Sequence, residues 1–422
     1  MAKRHVPVRP NLEQLKHQAK DLLRAFRRGD AEAVADFREH QTPRVDVEPV
    51  KLADAQFVLA RSYGLPNWPR LVTACRMTDA IWRGDVEAVR TMVLKDPRLL
   101  EEDARGVEGN WGPPMSYAAN LGQDAVVEML RGLGAEDVEY AFGRACLQGK
   151  IGTARKLHSM MGGRRPADHL LSWSAYTLNV EGTELLLEAG ARLYDDDGKR
   201  LAPIEVVLGT DSRRTEAKHR ILELYAEYGY QYSDSPVMAL HRGRVDLLAE
   251  HLRRESDLLK RTFTYDEIFR SEPGGGSGEV EETHGTPLHG TTLLHICADY
   301  DEIEIARWLL ERGMDVNERA AVDADGFGGH TALFGTVVSQ PNFWMNHYGR
   351  ILEAPFTKLL LEHGADVNVR VSLRKELHPG YEIPGMYEYR DVTPVSWGER
   401  FHFRKLVNAA AVEMIRERGG VE

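Results

Sequence analysis

The chain predicts an all-α solenoid of stacked helix pairs behind an N-terminal helical cap. Three observations carry that reading. A Gly-bounded unit of two amphipathic helices recurs along the sequence. Apolar residues inside the unit fall at helical spacing. The composition, 42% hydrophobic and 28% charged over 422 residues, is that of a packed chain too long for one ordinary compact domain.

Residues 1–76 read as the cap. NLEQLKHQAKDLLRAFRRGD places Leu12, Leu15, Ala19, Leu22 and Leu23 on one face, and LADAQFVLARSYGLPNWPRLVTA holds a second such helix. The end of a stack exposes an apolar side, and a cap covers it. Residues 77–264 follow as degenerate but compact repeats: GDVEAVRTMVLKDP near Gly84, GPPMSYAANLGQDAVVEMLRGLGA from Gly112, the 138–157 stretch, LLSWSAYTLNVEGTELLLEAGA from Leu170, and SPVMALHRGRVDLLAEHL from Ser235. Residues 265–422 hold repeats interrupted by insertions. GTTLLHICADYDEIEIARWLLERGMDVN from Gly290 and APFTKLLLEHGADVN from Ala354 are clear units, and AAAVEMIRERGG ends the array with an outer helix and its Gly stop. Thr or Pro opens a first helix because a hydroxyl caps free N–H groups and Pro suits the first turn. Leu309, Leu310 and Leu359 to Leu361 then form the buried stripe that neighbouring pairs share.

Five first-helix starts align with one another: Pro113-Pro114-Met115-Ser116, Ala202-Pro203-Ile204-Glu205, Thr292-Leu293-Leu294-His295, Thr331-Ala332-Leu333-Phe334 and Thr393-Pro394-Val395-Ser396. With the GADVN-type endings, these segments resemble ankyrin repeats, about nine units between Met77 and Gly420. The leader before them is similar to the helical leader of bacterial ankyrin arrays. The resemblance implies an ankyrin-repeat solenoid with finger loops beside a concave face, recognition of a protein partner through that concave face and the C-terminal finger loops as the function, and at His295 a structural imidazole bonding adjacent units.

Four insertions break the pattern in the last third: Tyr265 to His289, Glu318 to His330, Ser339 to Pro355 and Val369 to Asp391. In an ankyrin array such loops project as fingers along one edge, so they are expected to meet and roof a pocket. They are rich in aromatic, His and Arg residues. For a protein partner the expected anchors are Trp344, Asn346, Tyr348, Arg350, Tyr381, Arg390 and Trp397, since aromatics and Arg dominate interface energetics. The alternative is an enzyme or small-ligand receptor with a His/Tyr/Arg/Trp-lined pocket, in which His289, His330 and His347 act as general acid or base. A third possibility is that the aromatics simply pack long loops onto the array.

Other chemistry is weakly signalled. The net charge of −11 gives no field for phosphate neutralisation, so nucleic acid is not expected as a partner. The basic run Arg213, Arg214, Lys218, His219 and Arg220 reads as a solvated face. No run of about eighteen apolar residues predicts a membrane span. The opening residues lack the apolar core of a secretion signal, and Cys75, Cys146 and Cys297 are too scattered for a disulfide framework; a cytoplasmic, reducing location is expected. Neither HExxH, paired CxxC, a Walker loop nor GxSxG occurs, so no cofactor and no metal are expected, and Pro273 to Gly278 reads as a hinge.

Overall fold

The computed structural model describes residues 4–40, 49–270, 285–343, 346, 353–377 and 385–422, with Glu376 and Leu377 described by backbone alone. It divides into two compact units, Met1–Pro166 and Ala167–Glu422. The division falls inside the 77–264 stretch that the sequence presents as one block.

The first unit opens with α1 (Leu12–Arg27), α2 (Ala31–His40), α3 (Leu52–Ser62) and α4 (Trp68–Trp82). Asn11 caps α1 by accepting from the Gln14 N–H at 3.0 Å, and Leu15, Ala19, Leu22 and Leu23 turn inward as their spacing requires. Ala19, Leu22 and Leu23 join Phe37, Val58 and Leu59 in one cluster, while Leu15 joins Ala60, Leu71 and Cys75 in a second. Helix α4 runs across position 76 and packs on α5 (Val86–Lys95) and α6 (Pro114–Leu121). The unit continues with α7 (Asp124–Gly132), α8 (Val138–Leu147) and α9 (Ile151–Met160). A buried polar link ties successive first helices: Arg144 Nε on α8 donates to Asn120 Oδ1 on α6 at 2.8 Å.

The second unit stacks α10 (Leu170–Tyr176) with α11 (Val180–Glu188), α12 (Ile204–Gly209) with α13 (Thr215–Glu227), and α14 (Pro236–His241) with α15 (Val245–Arg254). After the short α16 (Tyr265–Phe269) come α17 (Leu293–Tyr300) with α18 (Ile303–Glu311), then α19 (Ala332–Val337) and α20 (Pro355–Glu362), which the third insertion separates. The last insertion contains strands β1 (Val371–Leu377) and β2 (Gly385–Val392), and α21 (Pro394–Arg400) with α22 (Ala409–Glu417) closes the chain. Helices α6, α12, α17, α19 and α21 begin within the five aligned motifs. Thr393 shows why: its hydroxyl accepts the Ser396 N–H at 3.2 Å while Ser396 Oγ accepts the Thr393 N–H at 2.8 Å.

Two features depart from the sequence reading. β1 and β2 form an antiparallel hairpin inside an otherwise helical chain, pairing Leu373 with Tyr389 and Lys375 with Tyr387, with an irregularity between Val371 and Leu373. The first helices also lose their open face: every residue of α14 and α17 is buried. Parts of the chain outside the repeats cover them. The short α16 packs against α14 and the 340–342 turn against α17, and His241 Nε2 on α14 donates to Ile268 C=O on α16 at 3.0 Å. A concave surface carried by α14 and α17 is therefore not available to a partner.

Candidate interaction surface on the C-terminal fingers

The finger after α18 is a tight turn built by its own sequence. Asp323 Oδ1 accepts the N–H groups of Asp325 and Phe327, both at 2.9 Å, and the Asp323 N–H donates back to Phe327 C=O at 2.8 Å. These amides, with Arg374 nearby, hold the Asp323 carboxyl below the usual carboxylate range. Gly328 has φ +117°, and a Cβ there would meet Ala321 O at 2.1 Å, so only glycine lets the two sides of the finger approach. The Gly328 N–H then donates to Ser372 C=O at 2.8 Å, attaching this finger to β1.

Phe327 is the centre of the joined fingers. Arg374 from β1 lies over its ring at 5.1 Å and Arg390 from β2 at 4.6 Å. Arg374 is oriented by Asp323 at 2.8 Å and Asp325 at 2.9 Å, and Arg390 by Glu388 at 2.9 Å. Phe327 itself is buried, and on the same two fingers two apolar side chains stand in solvent: Val322 is 61% exposed and Met386 55% exposed. Beside it runs a cleft of about 460 Å³ lined by Tyr265, Pro287, His289, Phe327, His330 and Leu373 among others. Three of the four insertions meet here, and none of the residues lining the cleft comes from the Ser339 to Pro355 insertion.

The expected site residues take different places. Arg390 is exposed at the clamp. His289 stands at the cleft rim, its ring 5.6 Å from that of Tyr265. Asn346 is a clip: its Oδ1 accepts the Arg213 N–H at 2.9 Å, and its Nδ2 donates to Asp211 C=O at 2.9 Å and Gln340 C=O at 3.0 Å. Trp397 is wholly buried, with its N–H given to Thr286 Oγ1 at 3.0 Å, so it packs the interior and presents nothing to a partner. Trp344, His347, Tyr348, Arg350 and Tyr381 lie outside the described residues.

His330 is not suited to proton transfer near neutral pH. Its ring is buried, Nε2 donates to Pro287 C=O at 3.0 Å, and burial beside His295 pushes its pKa down to about 3. Burial likewise takes His295 down to about 4. His295 Nδ1 accepts from Thr292, and Nε2 donates to His330 C=O at 3.0 Å, joining the start of α17 to the residue ahead of the next repeat. That is the structural role the repeat pattern assigns to this position. Residues 286–321 match the ankyrin-repeat family model.

With the stacked helix pairs around that match, the fold is an all-α ankyrin-repeat solenoid whose fingers carry the one hairpin seen among the described residues. Among solved structures, the crystal structure of the human ASB11 ankyrin repeat domain aligns with 69% of this chain and 98% of that chain, at 15% identity and a TM-score of 0.29. No curated protein matches the chain. Among the described residues no helix is long and apolar enough to cross a membrane, and no three His, Cys, Asp or Glu side chains gather as a metal site.

One cluster escaped the sequence reading. Arg213 and Lys218, expected on a solvated face, have side chains only 3% exposed. Arg213 Nη2 donates to Asp299 Oδ2 at 3.1 Å, and Lys218 Nζ and His219 Nε2 both reach Glu302 Oε1 at 2.7 Å. The Tyr300 ring lies between the cations, 4.5 Å from Arg213 and 4.3 Å from Lys218. Burial alone would push the Glu302 carboxyl up, and the Lys218 and His219 contacts carry it below its ordinary range instead. The partners sit more than 80 positions apart, so nothing local to the basic run reveals them.

Proposed function

We propose that this chain is a protein-recognition scaffold whose contact surface is the finger after α18 together with the β1–β2 hairpin. The observation that carries the reading is what the joined fingers present to solvent: Arg390 and part of Arg374, each held over the buried Phe327 ring and oriented by carboxylates, with Val322 and Met386 exposed on the same two fingers. Ankyrin repeats generally mediate protein–protein interaction, and preorganised Arg groups with exposed apolar ones are what an interface uses. Trp344, Tyr348, Arg350 and Tyr381 belong to the same proposal on sequence grounds, whereas Trp397 is left out of it because it is buried. The N-terminal helices, in this reading, cap the array.

The test compares wild type with a Val322→Asp, Arg390→Ala variant as bait in extract of the native organism. Proteins retained by wild type should be lost from the variant, while its melting temperature stays within about 2 °C because both side chains are exposed. An identical set on both baits would overturn the assignment of this surface.

A further inference from the structure

Arg144 on α8 is only 5% exposed, and no carboxylate among the described residues lies within ion-pair distance of it. Arginine keeps its proton in proteins, so a full positive charge is withdrawn from water; burial pulls its pKa down, and Tyr140 is the group that opposes the shift. The surroundings account for one of its donors. Nε donates to Asn120 Oδ1 at 2.8 Å, and Asn120 is itself fixed, because its Nδ2 donates to Ser116 C=O at 3.0 Å and Trp111 C=O at 3.4 Å. Nη1 and Nη2 meet no acceptor among the described residues, yet neither is sealed off, so this edge is where the side chain still touches solvent. The acids of the region are engaged elsewhere: Asp137 Oδ2 accepts the Ser116 N–H at 3.1 Å and the Ser116 hydroxyl, and the charges of Asp103 and Asp137 are felt at Tyr140. The wall beside the guanidinium is aromatic. Trp111 lies 5.9 Å from it, half-buried, with its ring 5.0 Å from that of Tyr117. Gly112 holds the turn that carries Trp111, with φ +69° and so little room that a Cβ would meet the Tyr140 ring at 2.8 Å.

We propose that Arg144 anchors a carboxylate-binding site on the first unit, in which Nη1 and Nη2 hold the two oxygens while Trp111 and Tyr140 pack against the group that carries them. A guanidinium fixed through Nε presents its two Nη nitrogens as a fork, which spans the two oxygens of one planar carboxylate and balances its single charge. The ligand supplies the counter-ion that the fold omits, and so stabilises the folded chain. A free organic acid and an Asp or Glu side chain of a partner both bring this chemistry. The site uses residues of the first unit alone and does not depend on the finger-surface reading.

The experiment follows the melting temperature of the full chain at constant ionic strength with acetate, phenylacetate, the tripeptide acetyl-Gly-Glu-Gly-amide, neutral phenylacetamide or inorganic phosphate. At about 50 mM the carboxylates should raise it by at least about 1 °C in wild type, and phenylacetamide should leave it unchanged. Arg144→Gln keeps a donor for Asn120 but removes the charge, and should lose the response. Equal responses of wild type and R144Q to every carboxylate, or equal responses of wild type to phenylacetate and phenylacetamide, overturn the proposal. A larger Arg144-dependent shift with phosphate overturns the carboxylate assignment. A second variant covers the case in which R144Q does not fold: Arg144→Lys keeps the buried charge without the fork, and by titration calorimetry phenylacetate should bind it at least tenfold more weakly than wild type, equal affinity overturning the fork. A stronger response to the tripeptide than to phenylacetate assigns the site to a partner's acidic side chain, and the reverse to a free acid. Val322→Asp, Arg390→Ala should respond as wild type does, so failure of this site and failure of the finger surface are read separately.

Discussion

The first unit and the second are built from the same helix pair but joined by different chemistry. In the first, ion pairs lie at the surface, as where Lys156 bridges Asp124 and Glu128, each at 2.8 Å, with its side chain 46% exposed, and the buried Arg144 is held by the neutral Asn120. In the second, the Arg213–Asp299 and Lys218–Glu302 pairs are sealed inside. Surface pairs contribute little, since water screens them and side-chain entropy opposes them. Buried pairs differ in kind. They add little net stability over an apolar replacement, but removing one partner strands a charge. Buried charge therefore makes the second unit intolerant of single changes, and it fixes which loop meets which helix.

The largest expected effect follows. Glu302→Ala strands the Lys218 ammonium next to Arg213 and should cost about 3–5 kcal/mol in urea unfolding. Lys156→Ala should move the melting temperature by no more than about 2 °C. Similar losses at both sites would remove the distinction between the two regions. A Lys218→Met, Glu302→Leu double variant should recover most of the loss.

Next is Leu360→Ala, which empties a fully buried position on α20 and should cost about 2–5 kcal/mol. Because α20 packs against both α18 and α22, hydrogen exchange should accelerate in those helices as well. Acceleration confined to α20 would contradict coupled stacking.

What was readable in the sequence divides along the same line. The five helix starts and the α1 stripe of Leu15, Ala19, Leu22 and Leu23 follow from spacing and capping, where the partners are local, and the His295 link to His330 ahead of the next repeat is what the ankyrin resemblance implies. The hairpin had a local signal too: Val371, Leu373 and Lys375 alternate inward, as period 2 requires, within a stretch read only as an insertion. Trp397 was misplaced because aromatic richness does not tell a contact surface from loop packing. Arg213 and Lys218 were misplaced because their burial depends on Asp299 and Glu302, which the fold brings across from a distant repeat. Arg390 at the clamp shows the reverse case: its residue type was legible, but Phe327, the ring it covers, was not among the expected residues.

Acid should separate the regions further. His295 and His330 have folded-state pKa values of about 4 and about 3, against about 6.5 in an unfolded chain. Between pH 6.5 and 4 the unfolded state binds more protons, so stability is present at neutral pH and is lost as pH falls. Each ring contributes a slope of up to about 1.4 kcal/mol per pH unit. His330→Asn should flatten this limb by about one proton in urea titrations across pH 4 to 6.5, whatever it does to stability at pH 7. An unchanged slope would mean that His330 is not held neutral by its burial.

The smallest effect concerns helix ends. In the first unit Gly84, Gly122 and Gly149 take the left-handed backbone that separates the two helices of a pair, with φ of +64°, +74° and +64°. At the corresponding place after α17 stands Asp301, with φ +55°. A side chain there costs about 1 kcal/mol, although aspartate tolerates the conformation better than most residues. Asp301→Gly should therefore stabilise the second unit by up to about 1 kcal/mol, with greater backbone freedom in the unfolded chain taking back part of the gain. A destabilised D301G protein would show that Asp301 is kept for a contact that outweighs its backbone strain.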